Sequence, residues 1–249
     1  MKSQIPSHKK EVFNTWDMGL GSWDLLPYDD FPMRDITSQA DYWDSVANEK
    51  RFSHPLRSDW LSKYLAPGAL VLDYGCGYGR TLGDLSAAGF RKSIGVDASR
   101  GMLARCRSSM PNQSLVLSDG HLLPFRDESF DAALIFALLT CIPLDRDQRS
   151  LMRELERVLR PGGLLYISDL LLNDDARNRE RYERYQKAYG TYGVFELPEG
   201  VVVRHHSPEW IKELTSSFEP LEYEPFDVLT MNRNKSSAFQ YMGRRRAHA

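Results

Sequence analysis

Glycine recurs at every second position over a short stretch near residue 75. Residues 70–72 (Leu-Val-Leu) are apolar and are followed by Asp73, and Gly75, Gly77 and Gly79 then alternate with other residues. This order predicts a buried strand that runs into a tight turn with few side chains. Because glycine has no Cβ atom and adopts positive φ angles, such a turn lets the backbone lie close to a ligand. A nucleotide-type ligand is the functional interpretation, and a plain glycine turn is the alternative.

An acidic residue 22 positions after Gly75 favours the nucleotide interpretation. Residues 94–97 (Ile-Gly-Val-Asp) have the pattern of a second strand that ends at Asp97. In Rossmann-like units, an acidic residue about 20 positions beyond the glycine turn binds the ribose hydroxyls. The nicotinamide motif, however, requires Gly-x-Gly-x-x-Gly, and the third residue after Gly77 is Arg80. A dehydrogenase is therefore disfavoured.

With these two pieces in place, the sequence resembles the class I S-adenosylmethionine-dependent methyltransferases. The resemblance extends over roughly residues 60–170 and rests on four separate segments in the family's order. These segments are residues 71–80, residues 95–99 with Met102 and Leu103, residues 118–120 with residues 123–125, and residues 159–163. Residues 123–131 are similar to the branch that includes the quinone C-methyltransferases. The substrate does not follow from that likeness, because many small-molecule enzymes share it.

The resemblance implies roles for particular side chains in holding S-adenosyl-L-methionine. The carboxylate of Asp73 helps to hold the ammonium of the methionine moiety, and that of Asp97 holds the ribose. Asp119 accepts a hydrogen bond from the adenine amine, and Met102 lies beside the adenine. The expected cofactor-binding residues are Asp73, Gly75, Cys76, Gly77, Gly79, Asp97, Ala98, Met102, Asp119, Gly120, Phe136 and Ala137.

Candidate catalytic groups are fewer, and each has a structural alternative. His205 and His206 precede a predicted helix start, and an imidazole with a pKa near neutral can act as a general base. Tyr42 could lie against a sulfonium through cation–π attraction, although an aromatic residue at a helix start more often packs in the core. Two adjacent histidines without nearby cysteine ligands do not indicate a metal site, and none is expected.

The end of the predicted fourth strand bears on the type of acceptor. In the resembling family, enzymes that methylate amino groups of nucleic-acid bases or glutamine typically have Asn/Asp-Pro-Pro-Tyr/Phe there. Residues 136–141 instead read Phe-Ala-Leu-Leu-Thr-Cys. The polar groups that would bind an amine are missing, which argues against a DNA or glutamine N-methyltransferase.

Composition indicates a globular chain without a strong charge. The 249 residues are 42% hydrophobic and carry a formal net charge of −2, with a pI of about 6.3. No nucleic-acid partner is expected from this charge. Cys76, Cys106 and Cys141 lack a Cys-x-x-Cys pattern and are expected to be free thiols in the reducing cytoplasm. Neither a signal peptide nor a membrane span is expected.

Apolar periodicity and the resemblance together predict the fold class. We expect an α/β, Rossmann-like fold, with a seven-stranded, mostly parallel sheet, helices on both faces and an antiparallel final strand. Residues 1–58 are expected to form an aromatic and helical cover, and residues 59–249 the methyltransferase domain. Residues 173–204 form an insert after the fifth strand, with tyrosines from Tyr182 to Tyr189 at helical spacing. A lid or a wall of the substrate site is the functional interpretation of this insert. A helical hairpin that thickens the fold or forms a dimer contact is the alternative.

The periodicity also predicts the limits of individual elements. The predicted helices include residues 41–51, 147–160 and 207–218, and the predicted strands include residues 130–136, 164–172, 222–231 and 236–243. These limits depend on where apolar residues stop and where proline or glycine follows.

The sequence thus predicts an S-adenosylmethionine-dependent methyltransferase that acts on a small-molecule acceptor, as a monomer or homodimer. Two other classes stay open. One is a non-catalytic S-adenosylmethionine-binding partner subunit, and the other is an RNA or protein methyltransferase. Methyl transfer by the isolated chain to a small molecule would distinguish an enzyme from a non-catalytic partner subunit. Salt-dependent retention on RNA would support an RNA methyltransferase.

Overall fold

The computed structural model describes residues 37–118 and 122–247, and a twisted sheet lies at their centre. Its strands are β1 (Val71–Tyr74), β2 (Ser93–Asp97), β3 (Ser114–Leu117), β4 (Phe130–Phe136), β5 (Leu159–Leu170), β8 (Phe218–Leu229) and β9 (Lys235–Arg245). The spatial order is β3-β2-β1-β4-β5-β9-β8. Strands β1 to β5 are parallel, whereas β9 is antiparallel to both β5 and β8. This arrangement confirms the predicted Rossmann-like fold class.

Helices of the described residues pack on both faces of this sheet. They are α1 (Thr37–Ser45), α2 (Ser58–Tyr64), α3 (Arg80–Ala87), α4 (Arg100–Ser109), α5 (Asp145–Val158), α6 (Ala176–Tyr189) and α7 (Pro208–Leu214). A short 3₁₀ helix (Leu139–Cys141) follows β4. No helix in the described ranges is long and apolar enough to cross a lipid bilayer.

Strand β1 is buried on both faces because successive side chains point to opposite sides of the sheet. Leu72 packs on one side in a cluster with Leu155 of α5. Val71 packs on the other side with Trp60 of α2 and Leu85 of α3. Burying an aliphatic side chain of this size contributes roughly 1.5–3 kcal/mol. The strand that carries the glycine turn is thus fixed from both sides.

The limits of three elements differ from the predicted ones. Strand β5 begins at Leu159, which pairs with Phe130 before residues 160–163 bulge away from β4. The predicted strand start at residue 164 is therefore late. Strand β8 likewise begins at Phe218, inside a segment that was predicted as helix, because α7 ends at Leu214. The first described helix, α1, ends at Ser45 instead of continuing to residue 51.

The insert after β5 contains α6 and a hairpin of two short strands, β6 (Val194–Glu196) and β7 (Val202–Arg204). Tyr182 of α6 is fully buried and packs with Phe195 and Val203 of the hairpin. Tyr42 of α1 packs against the same cluster. Helix α1 and the insert therefore pack on each other. The division at residue 58 stays a prediction, since the first 36 residues lie outside the described ranges.

An ion pair anchors the loop between β3 and β4 to helix α5. The carboxylate of Glu154 is nearly buried and accepts a hydrogen bond from the Leu123 N–H at 2.6 Å. Arg157 donates to that carboxylate at 2.6 Å, to the carbonyls of Leu123 and Phe125, and to Asp127. Since Glu154 lies in the interior, loss of Arg157 leaves a buried charge without its partner.

Replacement of Arg157 by alanine should destabilise the fold. We expect the free energy of unfolding to fall by about 3 kcal/mol, as measured by urea denaturation, because a carboxylate in the interior loses its cation. Arg153→Ala on the exposed side of the same helix is the matched control and should change it by less than about 0.5 kcal/mol. Equal effects of the two substitutions would contradict the anchoring role.

Candidate active site

A cavity of about 350 Å³ lies at the carboxyl ends of β1, β2 and β4. Tyr74 at the end of β1, Asp97 at the end of β2 and Phe136 at the end of β4 contribute to its lining. The chain leaves β1 toward β2 on one side, while β4 lies on the other side of β1. Ligands of open α/β sheets bind at such a reversal of strand order, outside the carboxyl ends of the strands.

Two glycines of the turn after β1 allow the backbone to form the cavity floor. Gly77 has a φ angle of 53°, and a Cβ atom built on it would approach nothing closer than Phe52, at 3.8 Å. Its open side faces the cavity, so a ligand can approach the backbone there. Gly79 has a φ angle of 84°, and a Cβ atom there would overlap the sulfur of Cys106. Any other residue at position 79 would separate α3 from α4.

The carboxylate of Asp97 holds the turn against the start of the next helix. Its Oδ2 accepts a hydrogen bond from the Gly77 N–H at 2.7 Å, and its Oδ1 accepts one from the Ser99 N–H at 2.8 Å. The Val96 carbonyl accepts the Gly75 N–H at 2.8 Å. Burial raises the pKa of Asp97, and the two backbone donors oppose that rise. Asp97 therefore positions the turn in addition to lining the cavity.

The carboxylate of Asp73 is buried beneath the cavity floor without a full set of partners. The residue is 1% exposed, and its Oδ2 accepts no hydrogen bond from any described residue. Burial raises its pKa to about 7, although the nearby Arg80 guanidinium opposes this rise. A buried carboxylate oxygen without a donor is suited to a cationic ligand group, such as the ammonium of a methionine moiety.

Asparagine at position 73 should stabilise the protein at alkaline pH. The folded-state pKa of Asp73 lies above the unfolded value, so its contribution to stability is complete below about pH 4 and is lost as the pH rises through about 7. The neutral amide avoids this loss. We expect the melting temperature of Asp73→Asn to exceed that of the wild type at pH 8, and the difference to shrink toward pH 4.5, in ligand-free thermal scans. A difference that does not change with pH would contradict the assignment.

Helix α4 begins beside the cavity and is fixed there by α1. The Ser99 hydroxyl caps the helix by accepting a hydrogen bond from the Met102 N–H at 3.0 Å. Asp44 of α1 accepts from that hydroxyl at 2.5 Å and from the Gly101 N–H at 2.8 Å. Ala98 and Met102 both line the cavity. A single carboxylate thus fixes the position of α1 over the start of α4.

The end of β4 has a left-handed residue that is not glycine. Ala137 has a φ angle of 53°, a conformation that L-residues other than glycine, asparagine and aspartate seldom adopt. Its N–H donates to the Ser168 carbonyl at 2.8 Å. This turn carries the chain away from β4 and brings Leu138 and Cys141 to the cavity. Such strain is most common at functional sites.

The structure brings most of the predicted cofactor residues together around this one cavity. Eight of them line it: Gly75, Cys76, Gly77, Asp97, Ala98, Met102, Phe136 and Ala137. Asp73 lies buried below it and Gly79 shapes its floor. Asp119 and Gly120 lie outside the described residues, so their adenine-binding role stays a prediction.

A second cavity of about 80 Å³ adjoins the first. Trp43, Phe52, Ala137 and Cys141 line both cavities and so mark their junction. The insert contributes to the other side of the second cavity through α6 and the β6–β7 hairpin. A ligand in the first cavity and another in the second would meet at this junction.

His206, one of the predicted catalytic groups, lies away from both cavities. It is 0% exposed, and its Nε2 lies 2.9 Å from Gln148 Nε2. Gln148 Oε1 accepts from the Trp210 indole N–H at 2.6 Å, so Gln148 Nε2 is the donor to His206. The other ring nitrogen of His206 then donates to the Leu170 carbonyl at 3.1 Å. Burial lowers the pKa of this histidine to about 3. Its two ring nitrogens form hydrogen bonds with α5 and β5, so His206 connects these two elements.

His205 lines the second cavity but is not arranged as a base. Tyr182 lies 2.6 Å from its Nδ1, and Asn173 Nδ2 lies 3.3 Å from the same atom. Asn173 Oδ1 accepts the Ser237 N–H at 2.8 Å, which identifies the Asn173 nitrogen as a donor. Nδ1 of His205 therefore accepts, and the ring proton lies on Nε2. Burial lowers the pKa of His205 well below its ordinary value, so the ring is neutral.

Tyr42 and Trp43 are neighbours in sequence but face different surroundings. Trp43 lines both cavities, whereas Tyr42 lines neither and packs in the cluster around Tyr182. The Tyr42 hydroxyl is buried without a hydrogen-bond partner, and burial raises its pKa to about 12. The predicted catalytic role therefore falls on a residue whose position is that of core packing.

Several aromatic residues that line the cavities were not predicted as site residues from the sequence. Phe52 stacks on Tyr78 with ring centres 5.8 Å apart, and its N–H donates to the Tyr78 hydroxyl at 3.1 Å. Trp43 lies 5.9 Å from Phe52. The position of Tyr78 inside the glycine turn was a usable signal, because a large side chain there must point along the cavity rim. No cluster of three metal-ligating side chains occurs within residues 37–118 and 122–247.

Comparison with known proteins identifies the family. Residues 72–167 match the family described as "Methyltransferase domain". A candidate methyltransferase of Encephalitozoon cuniculi is 30% identical over 191 residues, which cover 65% of this chain and 87% of that protein. The chain belongs to the S-adenosylmethionine-dependent methyltransferases. The cofactor of this methyltransferase is accordingly S-adenosyl-L-methionine.

Curated relatives differ in what they modify and in how much of their length this chain spans. A tRNA (carboxymethyluridine(34)-5-O)-methyltransferase of Arabidopsis thaliana is 35% identical over 104 residues, which cover 42% of this chain and 24% of that protein. This chain spans 24%, 40% and 30% of the length of three curated relatives that it matches. A SAM-dependent methyltransferase of Methanosarcina mazei has a TM-score of 0.72 at 22% identity, over 76% of this chain and 98% of that one. That likeness shows the fold.

Substitution of Asp97 by alanine should weaken binding of S-adenosylhomocysteine. The change removes a charged acceptor and releases the turn at Gly77, and we expect the two effects together to cost about 1.5–3 kcal/mol, so the Kd should rise by roughly 10- to 150-fold. Isothermal titration calorimetry measures the change. The matched control is Asp227→Asn, which removes an exposed ion pair between Asp227 of β8 and Lys235 of β9. It should leave the Kd unchanged. An unchanged Kd for Asp97→Ala would remove Asp97 from the cofactor site.

Proposed function

We propose that this methyltransferase transfers the methyl group to a small molecule bound in the second cavity. The observation that carries the proposal is the junction at which Trp43, Phe52, Ala137 and Cys141 line both cavities. In-line methyl transfer requires the donor and the acceptor to meet at one point from which water is excluded. The apolar and aromatic junction meets that requirement.

The residues of the first cavity fit the cofactor by their chemistry. Asp73 offers an unpaired carboxylate oxygen to the ammonium group, and the Gly77 backbone leaves room for a ligand against the turn. Asp97 adds an acceptor for the ribose hydroxyls, since each of its carboxylate oxygens has a further lone pair. Bound S-adenosylmethionine supplies an electrophilic methyl group on a sulfonium sulfur.

The second cavity contains no side chain set up as a general base among the described residues. Its titratable groups other than two arginines are His54, His205 and Cys141. Burial lowers the pKa of His54 to about 3 and raises that of Cys141. His205 holds its proton on the nitrogen that is free to face a ligand. We infer that the acceptor reaches the junction already nucleophilic, and that the protein contributes orientation and exclusion of water.

We interpret the insert as a lid over the second cavity. The Lys50 ammonium donates to Glu199, in the turn between β6 and β7, at 3.1 Å, and to Asn232, in the turn between β8 and β9, at 2.7 Å. The Ser53 hydroxyl donates to the Leu229 carbonyl at 2.5 Å. Three separate segments thus meet over the cavity through polar contacts that can break and reform. Ion pairs of this kind are weak, which suits a closure that must open.

The finer assignments remain part of this proposal. The likeness of residues 123–131 to quinone C-methyltransferases favours the small-molecule branch, but the acceptor itself does not follow from it. The tRNA relative makes RNA the competing acceptor, and the net charge of −2 weighs against it. Cytoplasmic location and a monomeric or homodimeric state stay predictions.

Blocking the second cavity should abolish methyl transfer without affecting the cofactor. Leu197 of the insert lines the second cavity and not the first, so Leu197→Trp should remove at least about 90% of the turnover and leave the Kd for S-adenosylhomocysteine within twofold. The assay incubates the chain with methyl-labelled S-adenosylmethionine and a panel of phenols, carboxylic acids, amines and thiols, with total RNA in parallel. Leu122→Trp, at an exposed leucine outside both cavities, is the control.

The outcomes of this assay separate the competing functions. Transfer of the labelled methyl group to a small molecule by the wild type, together with its loss in Leu197→Trp, supports the proposal. Label on RNA alone contradicts it. Binding of S-adenosylhomocysteine without transfer to either class indicates a partner subunit instead.

A further inference from the structure

The second cavity has a one-sided charge. Arg177 and Arg181 of α6 line it, and no aspartate or glutamate among the described residues does so. The remaining polar lining consists of hydroxyl, amide and imidazole groups, such as Thr140, Asn232 and His205. A cavity of about 80 Å³ with this lining is suited to an anion.

The half-buried guanidinium of Arg181 lines this cavity without an ion-pair partner among the described residues. Its Nε is buried and has no hydrogen-bond partner, and no carboxylate of the described residues lies within 4.0 Å of its guanidinium. The guanidinium carbon lies 3.6 Å from the centre of the Phe195 ring, so its plane is held in place by stacking. Burial lowers the pKa of Arg181, although the Tyr182 hydroxyl, which shares a hydrogen bond with the guanidinium, and the charge of Asp175 oppose that shift. Arg184, three positions after Arg181 on the exposed side of α6, is instead paired with Glu180 at 2.5 Å.

Such an arrangement is costly for the folded protein unless a ligand supplies the missing charge. Removing a cation from water without pairing it to an anion destabilises a folded protein, and Arg181 is half-buried. Arg177, the other arginine, is more exposed and lies 4.0 Å from Asp175. Asp175 is itself occupied as the cap of α6 by accepting from the Asn178 N–H. Neither arginine therefore has a strong internal acceptor.

His205 adds a neutral donor to the same cavity. Its Nδ1 accepts from Tyr182 and Asn173, which leaves the proton on Nε2. Nε2 forms no hydrogen bond within the described residues, and the ring lines the cavity. The hydrogen bonds from Tyr182 and Asn173 to Nδ1 therefore fix Nε2–H as a donor. A rotated or doubly protonated ring would lose these hydrogen bonds.

We propose that the methyl acceptor carries a carboxylate, which the Arg181 guanidinium and the His205 Nε2–H bind in the second cavity. The inference rests on the proposed function, because it takes that cavity as the acceptor site. A carboxylate matches the planar fork of a guanidinium, and its two oxygens can be shared between the two donors. The rest of such an acceptor then extends along the aromatic junction toward the first cavity.

Binding of a matched pair of probes tests the proposal. Benzoate and benzamide have nearly the same shape and differ in charge. We expect calorimetric titration to show at least tenfold tighter binding of benzoate than of benzamide to the wild type, both with and without saturating S-adenosylhomocysteine. Arg181→Gln should weaken benzoate at least tenfold and leave benzamide within twofold. Arg184→Gln, on the same helix and already paired with Glu180, should change neither.

Each outcome bears on one claim. Equal binding of the two probes by the wild type would overturn the carboxylate assignment, even if Arg181→Gln failed to fold. Absence of benzoate binding at concentrations up to 50 mM would overturn it as well. Arg181→Gln is expected to melt no lower than the wild type, since it removes a half-buried charge without an ion-pair partner. Wild-type protein that binds benzoate selectively but not S-adenosylhomocysteine would contradict the proposed function and leave the anion site standing. The reverse result would retain the methyltransferase function and remove the carboxylate.

Discussion

The two hydrogen bonds that the Asp97 carboxylate accepts determine the shape of the cofactor site. One comes from Gly77 in the turn after β1, and the other from Ser99 at the start of α4. Parallel strands bring these segments to the same edge of the sheet, but only a shared acceptor fixes the distance between them. Ser99 in turn binds Asp44, so α1 and the aromatic residues that follow it depend on the same contact. The floor and the wall of the cavity are thus connected through one side chain.

Charge is divided between the two cavities in a way that suits the chemistry of methyl transfer. The first is lined by Asp97 and Asp147 together with Arg80, and Asp73 is buried below its floor, so that carboxylates prevail and favour a cationic ligand. The second has arginines and no acidic lining within the described chain. A cationic methyl donor and an anionic acceptor would each find opposite charge in its own cavity, while the aromatic junction excludes water between them. This separation would also discourage either ligand from binding in the wrong place.

Local strain appears where these cavities meet. Ala137 has a left-handed backbone that costs about 1 kcal/mol or more for a residue with a Cβ atom. Its N–H remains bonded to the Ser168 carbonyl, and the turn aims Cys141 at the junction. Glycine would adopt this conformation more easily, but it would also loosen the connection between β4 and the short helix that follows. A rigid backbone at this point keeps the junction narrow.

The sequence by itself determined the parts of this protein that depend on neighbouring residues. The apolar run before Asp73, the alternate glycines and the acid at Asp97 predicted two strands and the turn between β1 and α3, because turn chemistry and strand burial are local properties. Only the tertiary structure separated Trp43, which lines both cavities, from Tyr42, which packs behind it. Likewise, the burial that makes His205 a fixed donor and His206 a connector arises from segments more than 30 residues away in sequence, such as Asn173 and Gln148. Arg181 was one charge on a highly charged helix, and only the packing of α6 on the β6–β7 hairpin showed that its guanidinium stacks on Phe195 and forms no ion pair with a described carboxylate.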